Sequence, residues 1–228
     1  MKTITKALIS GFIISLFCSF LGFFGRCESI SDKIFRLHII ANSDSAEDQA
    51  LKLKVRDRIL KDFGSDFSSA ADVIYAEQIA EEKLDEIEKI AQDEIFKNGY
   101  EYTAKAQITH MYFSTRYYGD ITMPAGYYDA LRITIGEAKG KNWWCVMFPP
   151  MCLPAAESHS ELEKVLDSGE TDMLISGQKY VLEFKAVELY AEFQEWVRKF
   201  IYEPSREMLS GIDFPYDTEF MIFKIFEG

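Results

Sequence analysis

The chain has 228 residues, 48% of them hydrophobic and 27% charged, with a formal net charge of −12 at pH 7. Length and apolar content allow one domain with a sizeable core, or such a domain with an appendage. An acidic surplus of this size repels phosphate backbones and anionic lipid heads, so nucleic acid is not an expected partner.

At the start of the chain, Lys2 and Lys6 are basic, and residues 7–24 carry no charge and are rich in Ile, Leu and Phe. Arg26, Cys27, Glu28 and Ser29 return the chain to polarity. A basic n-region followed by an apolar h-region is the pattern of a secretory signal. The run is at the border of what spans a bilayer as one helix. Residues 1–29 are therefore read as a signal peptide or an N-terminal membrane anchor, with membrane contact through residues 7–24 if the segment stays uncleaved. A cut after Ser29 places the small residues Cys27 and Ser29 at the two recognition positions. Arg26 beside Cys27 argues against a lipid anchor on that cysteine. The basic end stays inside and the remainder faces outward. Setting aside Lys2, Lys6, Arg26 and Glu28, the remainder carries −14.

A strand is predicted from Ile34 to Ala41, with Phe35, Leu37, Ile39 and Ala41 on one face and Ile34, Arg36, His38 and Ile40 on the other. Asn42 to Ser45 are turn and cap formers, and Ser45 with Asp48, or Asp44 with Glu47, makes a capping box. A helix then runs to Phe63 with Leu51, Val55, Ile59 and Phe63 on one stripe. After Gly64-Ser65, one longer helix is predicted from Ser69 to Phe96, burying Val73, Ala76, Ala80, Leu84, Ile87, Ala91 and Ile95. Its other face (Glu81, Glu82, Asp85, Glu86, Lys89 and Asp93) reads as solvated.

Asn98-Gly99 ends that helix, and Glu101 to Phe113 alternates as a strand. A loop with Gly119, Pro124 and Gly126 leads to a strand over Tyr127–Ile135, with Leu131, Ile133 and Ile135 inward and Arg132 and Thr134 outward, and the turn Gly136 to Asn142 joins it to Trp143–Phe148 as a hairpin. Beyond Pro149-Pro150, short helices are expected at Ser158–Leu166 and Glu170–Ile175, and a stronger one at Phe184–Ile201, with Phe200 on its apolar side and Arg198 on its polar side. Residues 212–228 are aromatic and irregular and receive no element.

Cys145 and Cys152 are the two cysteines of the folded part, and an even pair in an exported domain reads as a disulfide. The prolines between them fold the chain back, which brings the Cα atoms into bridging range. A zinc site from His38, His110, Cys145 and Cys152 lacks the tight ligand spacing such sites use. His38, Ser43 and Asp44 invite a hydrolase reading, but no nucleophile elbow is present and cap formation explains the serines better. No catalytic residue, metal or cofactor is assigned.

The run Arg36-Leu37-His38-Ile39-Ile40-Ala41-Asn42-Ser43-Asp44-Ser45, continuing through Glu47 to Asp57, resembles the opening of the stage II sporulation protein R family. So does the block Pro124-Ala125-Gly126-Tyr127-Tyr128-Asp129-Ala130-Leu131-Arg132-Ile133, continuing through Gly136 to Cys152. The resemblance covers residues 34–152, plus the N-terminal signal by type. It implies a forespore-made signal, exported into the space between forespore and mother cell. There the family triggers a membrane-embedded aspartic protease of the mother cell, which processes pro-sigma-E. Members are the signal and not the protease.

The expected architecture is an α+β two-layer domain: an antiparallel sheet on two long helices, with a helical C-terminal extension. Residues 30–152 form the signalling domain, and residues 153–228 the extension packed on it. The expected partner is the protease, and the contact surface is assigned to Arg36, His38 and Asn42 with Gly140, Lys141, Asn142, Trp143 and Trp144. Exposed polar loops and an apolar strand with two faces to cover motivate that choice. The rival readings are a secreted cell-wall hydrolase and a structural envelope protein held by an uncleaved helix.

Overall fold

The computed structural model describes residues 2–152 and 155–197, without the side chains of residues 2, 3, 13, 16, 17, 19, 155–158, 178, 195 and 197. The expectations for Arg198, Phe200 and residues 212–228 lie outside the described residues. The chain divides into two compact units, Met1–Glu188 and Leu189–Gly228. In the described part of the second unit, Phe193 stacks on Trp196 with centroids 6.2 Å apart.

The fold is α+β. Helix α1 (Lys2–Ser31) leads into β1 (Phe35–Ile40), followed by α2 (Ala46–Ser68), α3 (Val73–Glu82) and α4 (Leu84–Lys97). Next come β2 (Ala104–Phe113), β3 (Arg116–Tyr118), β4 (Ile121–Met123), β5 (Gly126–Ile135) and β6 (Asn142–Phe148). Three helices follow: α5 (Ala155–Val165), α6 (Ser168–Ile175) and α7 (Val181–Val197).

The main sheet has the order β2-β5-β1-β6. It is mixed rather than antiparallel, because β1 runs parallel to β5 while β6 and β2 run antiparallel to their neighbours. All six residues of β1 are buried, and a strand with both faces covered belongs in the middle of a sheet. It therefore inserts between β5 and β6, which do not pair, and the expected hairpin is replaced by a strap. The amide of Lys139 donates to the Asn42 carbonyl (3.1 Å) and that of Gly140 to the Ala41 carbonyl (2.9 Å). The strap thus bonds to the exit of β1 instead of folding on itself.

One face of the sheet packs on α2, α3 and α4. Leu51, Val55, Ile59, Phe63 and Phe67 of α2 join Ala76, Ala80, Ile87, Ala91 and Ile95 in one core with Phe35, Leu37 and Ile39. The predicted single helix breaks at Lys83, whose ammonium reaches Asp66 (2.7 Å) and lies over the Phe63 ring. The apolar spacing runs through this point without interruption, so only tertiary contacts mark it. The edge strand β2 is covered by α4: Glu88 accepts from the Ala106 amide (2.8 Å) and Gln92 from the Ala104 amide (2.7 Å). The face of Glu81, Glu82, Asp85, Glu86, Lys89 and Asp93 is exposed.

The second face carries its own core, so the domain has three layers and not two. Phe23, Cys27 and Ile30 of α1 pack there with Phe113, Tyr128, Val146, Leu162, Leu174 and Phe184. Helix α6 begins with a capping box between Asp167 and Glu170. Buried Glu170 also accepts from Ser29 (2.7 Å) and Lys33 (2.7 Å), which ties α6 to the end of α1. The segment read as a loop holds the two-stranded sheet β3–β4, turned at Gly119 with φ +65°. Among the described residues no helix is long and apolar enough to cross a membrane.

Candidate functional site

Around the second face of β1, three arginines gather in an otherwise acidic protein: Arg36, buried on β1 itself, and half-buried Arg116 and Arg132 on β3 and β5. Strand alternation places Arg36 and His38 on the face opposite Leu37 and Ile39. His38 lies between Arg132 of β5 and Trp144 of β6 in the strand register. Its imidazole stacks on the Trp144 indole, with ring centroids 4.0 Å apart. Arg116, at the start of β3, also lies over the Trp144 ring, its Cζ 5.1 Å from the ring centroid.

Arg36 is wholly buried. Its guanidinium lies 4.2 Å from the Phe113 ring and 4.9 Å from that of Tyr128. Nη2 donates to the Tyr118 hydroxyl (2.6 Å), which in turn donates to the Trp144 carbonyl (3.3 Å). Aromatic faces offset part of the cost of burying this cation. Nη1 remains buried with no hydrogen-bond partner.

Nε2 of His38 donates to Oδ1 of Asn142 (3.0 Å), leaving Nδ1 buried and unpartnered. Burial lowers the His38 pKa to about 4; the bond to Asn142 opposes this, while the charges of Arg132, Arg36 and Arg116 add to it. The ring is therefore neutral at pH 7. Nε of Arg116 and Nε of Arg132 are likewise buried without partners. Among the described residues no Asp or Glu pairs with Arg36, Arg116 or Arg132.

The other residues assigned to the contact surface divide among three places. Asn42 donates to Asp48 (2.8 Å) and accepts the Glu137 amide (3.0 Å), so it anchors the strap. Gly140 fits where a Cβ would meet the Ser43 carbonyl oxygen at 2.1 Å. Lys141 and Asn142 are exposed at the strap's end. Trp143 points to the opposite face of the sheet, where Arg56 of α2 covers its ring at 4.2 Å. The structure thus unites Arg36, His38, Asn142 and Trp144, and separates Trp143 from them. Arg116 and Arg132 complete the group and are absent from the sequence-based assignment. Alternation along β5 did place Arg132 outward, whereas Arg116 sat in a stretch without a strand signal.

Ser43 donates to Asp48, and Ser45 caps α2 by accepting the Asp48 amide (3.1 Å). Asp48 turns to Ser43 and Asn42 rather than back to Ser45, so the capping box is half formed. His110 is exposed, beside Asp129, and no metal-holding group of His, Cys, Asp or Glu occurs among the described residues. Cys145 and Cys152 are joined in a disulfide with Cα atoms 5.8 Å apart. Burial pushes the Cys27 thiol up to about 12.

The profile of a family described as stage II sporulation protein R matches residues 31–158. Stage II sporulation protein R of Bacillus subtilis (strain 168) is 39% identical over 123 residues, 54% of this chain and 55% of that relative. The chain therefore spans about half the length of the curated relative it matches. No solved structure matches. The matched stretch holds the whole mixed sheet, the strap and every residue of the cationic aromatic cluster, and covers more than half of the sequence. The chain belongs to the stage II sporulation protein R family.

Proposed function

We propose that this chain is an exported sporulation signal. It leaves the forespore through its N-terminal segment and acts in the space between forespore and mother cell. There it switches on a membrane-embedded aspartic protease of the mother cell, and that protease activates pro-sigma-E. The chain acts by binding and does no covalent chemistry. A ligand drives such a switch only by binding the active state more tightly than the inactive one.

Family membership across the entire sheet is the observation that carries this reading. The N-terminus supports the export step. Along α1, Leu8, Phe12, Ile14 and Leu21 are all exposed apolar side chains, within an uncharged run behind two lysines. The test is co-expression with the protease and its precursor substrate in growing, non-sporulating cells, reading precursor size on a gel. Cleavage that needs residues 1–29 supports an exported activator. An uncut precursor despite confirmed secretion contradicts it.

A further inference from the structure

We propose that Arg116 and Arg132, backed by Arg36, form a carboxylate-binding site on the Trp144 face of the sheet, and that its occupant is an acidic segment of a protein partner. Four observations carry this inference.

Charge is the first. The chain has 37 acidic residues against 25 basic ones, yet three guanidiniums gather around one imidazole with no acid among the described residues paired to any of them. Fixed like charges repel, and native proteins ordinarily pair or hydrate them. Their shared influence on His38 shows that all three lie within electrostatic range of the same ring.

Orphaned donors are the second. Nη1 of Arg36, on a side chain with no exposed surface, is buried and unpartnered. The same holds for Nε of Arg116, Nε of Arg132 and Oγ1 of Thr115. Buried polar groups are nearly always satisfied, so three guanidiniums with unpartnered nitrogens leave this face short of acceptors, a deficit that an anion at the outer ends of Arg116 and Arg132 offsets electrostatically.

Access is the third. Arg116, Arg132 and Trp144 are all half-buried. The terminal nitrogens of Arg116 and Arg132 have no partner among the described residues and are not among the buried orphans, so they are the outer ends of the group. A ligand meets these first and need not reach Arg36, whose charge strengthens the site from below.

Chemistry is the fourth. Planar guanidiniums hold carboxylates through paired hydrogen bonds, and an indole beside them receives the apolar stem of a Glu or Asp side chain. The rest of the body is acidic, which disfavours an extended anionic surface such as a membrane. A single acidic peptide segment avoids that repulsion. The activation proposed above rests on a protein partner, and this site supplies the chemistry of that contact.

The test uses the full chain in detergent, the side-chain resonances of Trp144 and His38, and three probes: N-acetyl-glutamate, inorganic phosphate and anionic vesicles. The expected result is a saturable shift with N-acetyl-glutamate. It weakens at least about tenfold in R116Q/R132Q, while a control at exposed Lys105 (K105Q) leaves it unchanged. Thermal unfolding checks that the double variant is folded, and R116K/R132K, which keeps charge but loses the planar fork, gives an intermediate shift. No carboxylate response, a stronger response to phosphate or vesicles, or a response equal in the double variant overturns the proposal. Precursor cleavage is read in parallel. Carboxylate binding without activation contradicts the functional reading alone, and activation that R116Q/R132Q leaves intact contradicts this site alone.

Discussion

His38 lies flat on Trp144, with 4.0 Å between ring centroids and 4° between ring planes. This contact joins β1 to β6 on the cationic face, at the row that also holds Arg132. The imidazole stays neutral there because burial lowers its pKa to about 4. The unfolded chain takes up the proton first as pH falls from the ordinary 6.5. Its stabilising contribution is therefore complete above pH 6.5 and is lost as pH falls toward 4. Wild type should lose about 2 kcal/mol more than His38→Gln between pH 7 and 5, measured by denaturant unfolding. Equal losses in both proteins contradict this assignment.

Glu170 also loses its contribution as pH falls, but here the fold favours the charged form. Its burial works against the charge, but hydrogen bonds from Lys33, Ser29 and the Asp167 amide prevail and hold the carboxyl below its ordinary range. Its contribution is present above the ordinary carboxylate pKa and disappears as pH falls through the lower folded value. Glu170→Gln should destabilise by about 2 kcal/mol at pH 7, with the gap to wild type closing in acid. Thermal melts at two pH values decide the point.

Gly140 sits where the strap crosses the end of β1. A Cβ there meets the Ser43 carbonyl oxygen at 2.1 Å and its carbon at 2.5 Å, and both atoms are backbone. Gly140→Ala must push strap and turn apart, at a cost of about 2 kcal/mol or more. Gly64→Ala, in open space on α2, should be neutral or slightly stabilising. Unfolding midpoints for the two variants, taken side by side, measure the difference.

The Cys145–Cys152 bridge closes a loop with a sequence separation of 7. In the chain-entropy account this contributes about 2.5 kcal/mol. C145S/C152S should lower the denaturation midpoint, and reductant should affect wild type but not the double variant. Thiol titration of the unfolded, unreduced protein should find only Cys18 and Cys27 free.

Much of this fold is readable from residue spacing. The stripe Leu51, Val55, Ile59 and Phe63 and the steps from Ala76 to Ile95 are the core that the structure shows. The alternation in β5 put Arg132 on the outer face. The central place of β1 is harder to read. Two alternating strands joined by a Gly- and Lys-containing turn carry the local signature of a hairpin, and the third strand that parts them arrives from nearly a hundred residues earlier. The break at Lys83 has no Gly or Pro to announce it. The site was half legible: Arg36, His38 and Trp144 stood out by type, but Arg116 joins them only through the β3–β4 turn-back. Trp143 and Trp144 look like a pair in sequence, and the pleat sends them to opposite layers.

Residues 23–30 belong to the second core, since Cys27 and Ile30 are buried with 5% and 0% exposure. A cut after Ser29 removes Phe23 and Cys27 from that core and the Ser29 bond from Glu170. A chain beginning at residue 30 should therefore be less stable than one beginning at residue 22, by about 3 kcal/mol or more. Comparative unfolding of the two truncations measures this, and the mass of the exported species shows which end the cell makes.

The most direct test of the activating role is reconstitution. The protease and its precursor substrate are placed in liposomes, and the full chain is titrated onto the outward face while precursor cleavage is followed. A binding activator predicts cleavage that rises with the amount of chain, saturates near stoichiometry with the protease, and reverses when the chain is washed away. Absence of cleavage, or lasting activation by trace amounts of chain that persists after its removal, contradicts it.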